Sequence, residues 1–120
     1  MEKILCVDDD GSLLRLYQEE LCEEGYKVIL AKNGKEALGK FAEEKPQVVV
    51  MDIRMPVMDG IETLVIMLGK DRQVKVILNT AYPQYKENFM TWGAEAYVIK
   101  SSDLTELKQK IREVLDIRIK

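Results

Sequence analysis

The sequence predicts a doubly wound α/β fold, a five-stranded parallel sheet with five helices on its two faces. Three observations carry this. Five short apolar runs, at 3–7, 27–31, 47–51, 74–79 and 96–99, alternate with stretches whose apolar residues recur at helical spacing. The central run, Gln47-Val48-Val49-Val50-Met51, holds three consecutive valines with no polar alternation, the pattern of a strand buried on both faces. The links between runs are short, and no repeat, low-complexity tract or linker divides the chain. At 120 residues it reads as one domain, able to bury roughly two-thirds of its unfolded surface.

The elements follow in order. Lys3–Val7 is a buried strand that stops at three acids. Ser12 to Glu24 is a helix with Leu14, Tyr17 and Leu21 on one face, stopped by Gly25. Residues 27–31 are a second strand. Asn33-Gly34 opens a second helix with Ala37, Leu38 and Phe41 as its apolar stripe, and Pro46 follows its end. The valine strand ends at Asp52, and the turn-rich Arg54–Gly60 leads to a third helix from about Ile61 to Leu68, before Gly69. After the fourth strand, Thr80-Ala81-Tyr82-Pro83 is a loop and Tyr85 to Trp92 a short fourth helix ended by Gly93. The fifth strand ends at Lys100, Ser101-Ser102-Asp103 supplies cap chemistry, and Leu104, Leu107, Ile111, Val114 and Leu115 mark the fifth helix.

Composition narrows the function. The net charge of −3 argues against a broad basic nucleic-acid surface. The chain has no His, which excludes a His-based triad, a His-ligated metal site and a phosphohistidine of its own. No apolar run reaches the ~20 residues of a membrane span, and no signal peptide is expected at the N-terminus. Cys6 and Cys22 lack CxxC spacing, so a reduced, cytoplasmic protein is the expectation, with Cys6 an inert thiol on the first strand. Met51, Met55 and Met58 read as core and turn filler, and Glu19, Glu20, Glu23 and Glu24 as a solvated helix face.

In an open parallel sheet, ligands sit outside the carboxyl ends of the strands. Those ends carry Asp8, Asp9 and Asp10 after the first strand, Asp52 after the third, Thr80 after the fourth and Lys100 after the fifth. Converging carboxylates repel unless a cation is present, and oxygen-only donors favour a hard one, Mg²⁺. Without Asp8, Asp9, Asp52 and Lys100 the chain has 18 acids against 17 bases, so most of the net charge is gathered here. Taken alone, Asp8-Asp9-Asp10 reads equally as a solvated turn with Asp10 or Ser12 as N-cap.

Together these positions resemble the receiver domain of bacterial two-component response regulators. The matching pieces are Val7-Asp8-Asp9, Met51-Asp52-Ile53-Arg54-Met55-Pro56-Val57-Met58-Asp59-Gly60, Asn79-Thr80-Ala81, and Gly93 through Lys100. The resemblance implies strand order 2-1-3-4-5, flavodoxin-like, over a single receiver domain at residues 1–120. It implies that Asp52 accepts a phosphoryl group from a phosphohistidine donor. Asp9 would hold Mg²⁺ directly, Asp8 largely through water, with Asp52 and the backbone carbonyl of Arg54 completing the protein ligands. Lys100 would pair with Asp52 and then with the phosphoryl oxygens. Thr80 would hydrogen-bond the phosphoryl group, and Tyr97 would follow by turning inward. Implied partners are a sensor histidine kinase or histidine phosphotransfer protein, and a downstream protein target or an output domain lost from this chain. Neither nucleic-acid binding nor membrane insertion is expected.

Departures accompany the match. Ser101 follows Lys100 where receivers usually place a proline with a cis peptide, so the loop is either trans and reshaped or holds a cis bond costing about 2.5–4 kcal/mol. Arg54 and Tyr82, two residues after Asp52 and Thr80, are bulky and should sit where hydrolytic water approaches. A competing enzyme reading uses Asp8-Asp9-Asp10-Gly11-Ser12, which matches the nucleophile motif of haloacid-dehalogenase-type phosphatases. Asp8 would then be the nucleophile and Asp10 the acid/base, leaving Met51–Gly60 unexplained. A flavin-binding module of similar topology would need a Ser/Thr/Gly-rich phosphate loop after the first strand, which is missing.

Overall fold

The computed structural model of the chain describes residues 2–90 and 92–119, with side chains through Asp116. Its elements run β1 (Lys3–Val7), α1 (Gly11–Glu23), β2 (Lys27–Ala31), α2 (Gly34–Glu44), β3 (Val48–Met51), α3 (Gly60–Lys70), β4 (Lys75–Thr80), a 3₁₀ turn (Pro83–Tyr85), β5 (Ala96–Ile99) and α4 (Thr105–Ile119). The five strands form one sheet in the order β2-β1-β3-β4-β5, every pairing parallel.

Strand alternation explains why both faces are covered. Leu5, Val7, Val49, Met51, Val76 and Leu78 point to one side, where they join Phe41, Leu64 and Met67 of α2 and α3. Ile4, Cys6, Val48, Val50, Ile77 and Val98 point to the other and meet Leu14, Tyr17 and Leu21 of α1 and Leu107, Ile111 and Val114 of α4. The unalternating Val48-Val49-Val50 is thereby buried on both sides. Cys6 is fully buried, and burial pushes its thiol pKa well above the ordinary range.

Helix entries are chemical. Asp10 caps α1 by accepting from Ser12 N–H and Leu13 N–H, Asn33 caps α2 through Glu36 N–H, and Asp59 caps α3 through Glu62 N–H. Gly25, at φ 94, turns the chain after α1 as expected of a stop. Gly69 does not stop α3, which runs through to Lys70. Glu20 and Glu24 are not simply solvated, since they pair with Lys108 and Arg112 of α4 at 2.6 and 2.9 Å.

The expected fourth helix at 85–92 is the one element the structure overturns, leaving four α-helices among the described residues rather than five. Lys86, Asn88 and Gly93 N–H groups donate to carbonyls three residues back, at Pro83, Tyr85 and Met90, so the described part of the segment is a chain of tight turns, Thr91 lying outside the described residues. Its helical spacing is real, because Tyr85, Phe89 and Trp92 all pack on the core. Aromatic, Asn and Pro residues are poor helix formers, and tertiary anchoring is satisfied without the helix.

Two glycines fix close approaches, Gly60 of α3 to the end of β3 and Gly34 of α2 to α3. A Cβ on Gly60 would lie 1.9 Å from the Asp52 carbonyl oxygen, and one on Gly34 would lie 2.1 Å from Thr63 Oγ1. Gly39, mid-helix in α2, faces open space. Gly60→Ala is therefore expected to destabilise by roughly 2–4 kcal/mol through backbone displacement. Gly39→Ala should stabilise by about 0.5–1 kcal/mol through helix propensity. Urea denaturation of the two variants measures both signs.

Candidate functional site

The carboxyl edge of the sheet is built by backbone hydrogen bonds that continue the ladder one step past each strand. Asp8 N–H donates to the Ala31 carbonyl at 3.1 Å, Asp52 N–H to Val7 at 3.0 Å, and Lys100 N–H to Thr80 at 2.8 Å. These bonds hold three residues from distant parts of the chain on one line.

Their side chains converge. Lys100 Nζ lies 2.8 Å from Asp8 Oδ2 and 3.0 Å from Asp52 Oδ2. Carboxylate oxygens of Asp8, Asp9 and Asp52 all lie within 4.8 Å of one another. Asp8 and Asp52 are buried and Asp9 is exposed. One ammonium thus serves two buried carboxylates with a third beside them. This oxygen-only, net-negative donor set fits a hard divalent cation, and with no His or thiolate in it a softer metal has no advantage.

The electrostatics agree. Burial pushes the Asp52 carboxyl above the ordinary range, the Asp8 charge adds to the rise, and Lys100 opposes it. Burial alone would lower Lys100, but its bonds to Asp8 and Asp52 outweigh this and hold it above the usual lysine value. Behind Asp8, the buried Tyr17 hydroxyl is pushed up to about 12 by burial and by the Asp8 charge, and it accepts from Asn79 Nδ2 at 2.9 Å.

Over the carboxylates opens a pocket of about 400 Å³ lined by Asp9, Asp10, Asp52, Arg54, Ala81, Tyr82 and Lys100. Arg54 and Tyr82 are there as expected, and they touch: the Arg54 guanidinium carbon stands 4.4 Å from the Tyr82 ring centroid. Its Nη2 also donates to Tyr85 Oη at 3.1 Å. Tyr85's place in this cluster escaped sequence reading, and the only available signal was two aromatics three apart after Thr80.

Thr80 and Tyr97 border the site without lining the pocket. Thr80 is fully buried, and its hydroxyl oxygen accepts from Tyr82 N–H at 3.3 Å. Tyr97 is buried with its ring 5.9 Å from Phe89, and its hydroxyl donates to the Tyr82 carbonyl. It lies in the inward arrangement. The Lys100–Ser101 link is trans, since the described residues contain no cis peptide bond. Lys100 reaches both carboxylates nonetheless.

The sequence matches the family model of the response regulator receiver domain over residues 4–112. The chain belongs to that family. Among receiver relatives, it is 38% identical over 120 residues to regulatory protein AtoC of Escherichia coli (strain K12), covering 98% of this chain and 26% of that one. It is 34% identical over 119 residues to sporulation initiation phosphotransferase F of Bacillus subtilis (strain 168), covering 98% of this chain and 96% of that one. The response regulator TrrA of Thermotoga maritima, solved with Mg²⁺-BeF, superimposes with a TM-score of 0.89 at 41% identity, over 95% of this chain and 99% of that one. TrrA has also been solved in complex with the histidine kinase ThkA, where the TM-score is 0.87 at 42% identity over 96% and 99% of the chains. The receiver spans about a quarter to a half of several curated relatives it matches.

The phosphatase alternative finds no support in this family or in the geometry. Asp10, its acid/base, is exposed, and its Oδ1 accepts from the Ser12 and Leu13 amides as the α1 cap. Asp8, its nucleophile, is 1% exposed, receives Asp10 N–H on Oδ1 at 2.9 Å and is bound on Oδ2 by Lys100.

A stability prediction follows from the charge imbalance. The folded protein holds the Asp52 proton more tightly than the unfolded chain does. Stability due to this group falls as pH rises from the ordinary carboxyl value through the raised one. Asp52→Asn in metal-free buffer should raise the urea midpoint at pH 7, with the gain vanishing in acid. Lys100→Met, which leaves two buried carboxylates uncompensated, should cost roughly 3 kcal/mol, less when combined with Asp52→Asn.

Proposed function

We propose that this receiver, residues 1–120, accepts a phosphoryl group on Asp52 from a histidine kinase or histidine phosphotransfer protein and then switches a protein-binding face. One observation carries the reading: the Asp52 carboxylate is buried at the end of β3, bound by Lys100, flanked by Asp8 and Asp9, and open to a pocket large enough for a phosphoryl group.

The chemistry follows from the parts. An Asp52 carboxylate oxygen forms a bond to phosphorus as the phosphorus–nitrogen bond of the donor breaks and the imidazole leaves. Such transfers pass through a loose transition state, so positioning and charge neutralisation matter more than covalent assistance. Lys100 moves from Asp52 toward the phosphoryl oxygens while keeping Asp8 as its second partner. Asp8, Asp9, Asp52 and the Arg54 backbone carbonyl would hold Mg²⁺, which supplies neutralisation of the transferring oxygens. The Thr80 hydroxyl, whose oxygen accepts from Tyr82 N–H, donates its proton to a phosphoryl oxygen, and Tyr97 responds through its bond to the Tyr82 carbonyl. The chain is then a signalling module rather than an enzyme, at most a slow autophosphatase. We place it in the cytoplasm, in keeping with its reduced cysteines, and no described helix is long and apolar enough to cross a membrane.

The switched face lies where a groove of about 790 Å³ runs between Lys86, Phe89, β5 and α4. It suits a downstream protein target, or an output domain on a longer product of the same gene. With a net charge of −3, direct nucleic-acid binding is not part of the reading.

Treatment with acetyl phosphate and Mg²⁺ should give one phosphoryl adduct by intact-mass spectrometry. Chelator or Asp52→Asn should abolish it, and an adduct lost in Asp8→Asn but kept in Asp52→Asn would refute the assignment. Because Arg54 and Tyr82 cover the approach of in-line water, Arg54→Asn and Tyr82→Glu should each speed decay of the adduct by about tenfold, a change of about 1.4 kcal/mol in barrier. A radiolabel or mass time course reads this directly, and unchanged decay in both variants would remove the shielding role. Backbone NMR shifts on adding fluoroberyllate should extend from Asp52 into Tyr85, Phe89, Tyr97 and Leu104, and confinement to the metal site would refute the switch.

A further inference from the structure

Arg54 is shared between two places. Its backbone follows β3 directly over the carboxylates, and its guanidinium reaches across the pocket to the segment after β4. There it lies on the Tyr82 ring, 4.4 Å from the centroid, and donates to Tyr85 Oη at 3.1 Å. Tyr85 in turn packs against Trp92, with ring centroids 6.0 Å apart. Trp92 is the only tryptophan in the chain. A continuous path of contacts therefore runs from the pocket over Asp52 to an intrinsic fluorophore, without passing through Thr80 or Tyr97.

We propose that Arg54 is a phosphoryl-gated clasp. In the unmodified protein it ties the β3–α3 loop to Tyr82 and Tyr85, and on modification of Asp52 it releases Tyr85 to bind the phosphoryl oxygens. The argument is one of competing partners. An aryl hydroxyl and a ring face are neutral acceptors, whereas a phosphoryl group is an anion that offers the planar guanidinium two charge-assisted hydrogen bonds. Arg54 already lines the pocket that a group on Asp52 would enter. It is exposed, so it can change partners without moving any buried side chain. Tyr85 then loses the contact that fixes its hydroxyl, in a segment held by tight turns and by three aromatic anchors rather than by a helix. The coupling is reciprocal, so weakening the Arg54–Tyr85 contact must favour the anion-bound state.

This inference rests on Asp52 being the phosphoacceptor, and the test separates the two. The full chain is titrated with fluoroberyllate in Mg²⁺ while Trp92 fluorescence is recorded, and adduct formation on Asp52 is followed in parallel by mass spectrometry with acetyl phosphate. Three proteins are compared: the unaltered chain, Arg54→Met, which keeps the stem and removes the guanidinium, and Tyr85→Phe, which keeps the ring and removes the hydroxyl. The unaltered chain should show a saturable Trp92 change. At saturating fluoroberyllate Arg54→Met should lose most of that change, with its Asp52 adduct still detected by mass though shorter-lived. Tyr85→Phe should bind fluoroberyllate about three- to tenfold more tightly and start from a Trp92 signal shifted toward the bound one. An adduct with an undiminished Trp92 response in Arg54→Met, or unaltered affinity in Tyr85→Phe, would overturn the clasp alone. The absence of any Asp52 adduct in the unaltered chain would overturn the phosphoacceptor reading and the clasp with it.

Discussion

Two carboxylates, Asp8 and Asp52, are buried at the carboxyl edge of the sheet, and Lys100 touches both. Removing two acids from water is tolerable only if their charge is matched at close range, and a single ammonium matches half of it. The residual negative charge sets the character of the site. Burial, and after it the Asp8 charge, raises the proton affinity of Asp52, while the residual charge fits a hard cation among oxygen donors and leaves Lys100 shared between two acids.

That triangle depends on the sheet being parallel and on its strand order. With β1 and β3 adjacent, Asp8 and Asp52 leave the sheet side by side, and β5 at the outer edge delivers Lys100 across Thr80. The loops above are pressed close by glycine. Gly60 lets α3 begin against the Asp52 carbonyl, and its N–H donates to the Ile53 carbonyl at 2.7 Å. In the same turn, Val57 adopts φ 72 while Met58 N–H returns to the Pro56 carbonyl at 2.8 Å, a strained left-handed position for a β-branched residue. The loop that carries Arg54 is therefore shaped by short-range constraints and is not free to drift from the pocket.

The segment after β4 ties this edge to the core on the α2 and α3 side of the sheet, where Tyr85, Phe89 and Trp92 pack. Tyr82 receives the Arg54 guanidinium on its ring, gives its N–H to Thr80 and accepts from Tyr97 on its carbonyl. One residue thus touches the pocket, the buried hydroxyl and the buried ring. Its neighbours Tyr85, Phe89 and Trp92 hold by side-chain packing, so small changes at Tyr82 can be passed on without breaking a helix.

Much of this was legible in the sequence because it depends on local pattern. Five apolar runs with helical stretches between them define a parallel sheet, and in such a sheet Asp8, Asp9, Asp52, Thr80 and Lys100 must gather at one edge. Capping by Asp10 and the stop at Gly25 are equally local. The fourth helix was misread because Tyr85, Phe89 and Trp92 carry helical spacing, and periodicity cannot separate a helix from successive turns that anchor the same residues. Only the tertiary structure decided that Lys100 bridges both acids across a trans Ser101 link, that Glu20 and Glu24 are bound by α4, and that Arg54 is held by Tyr82 and Tyr85. Each of these is a contact between residues far apart in the chain, set by how neighbouring elements pack. No sequence window contains that information, because a side chain's partner there is chosen by distance and charge after the backbone has folded.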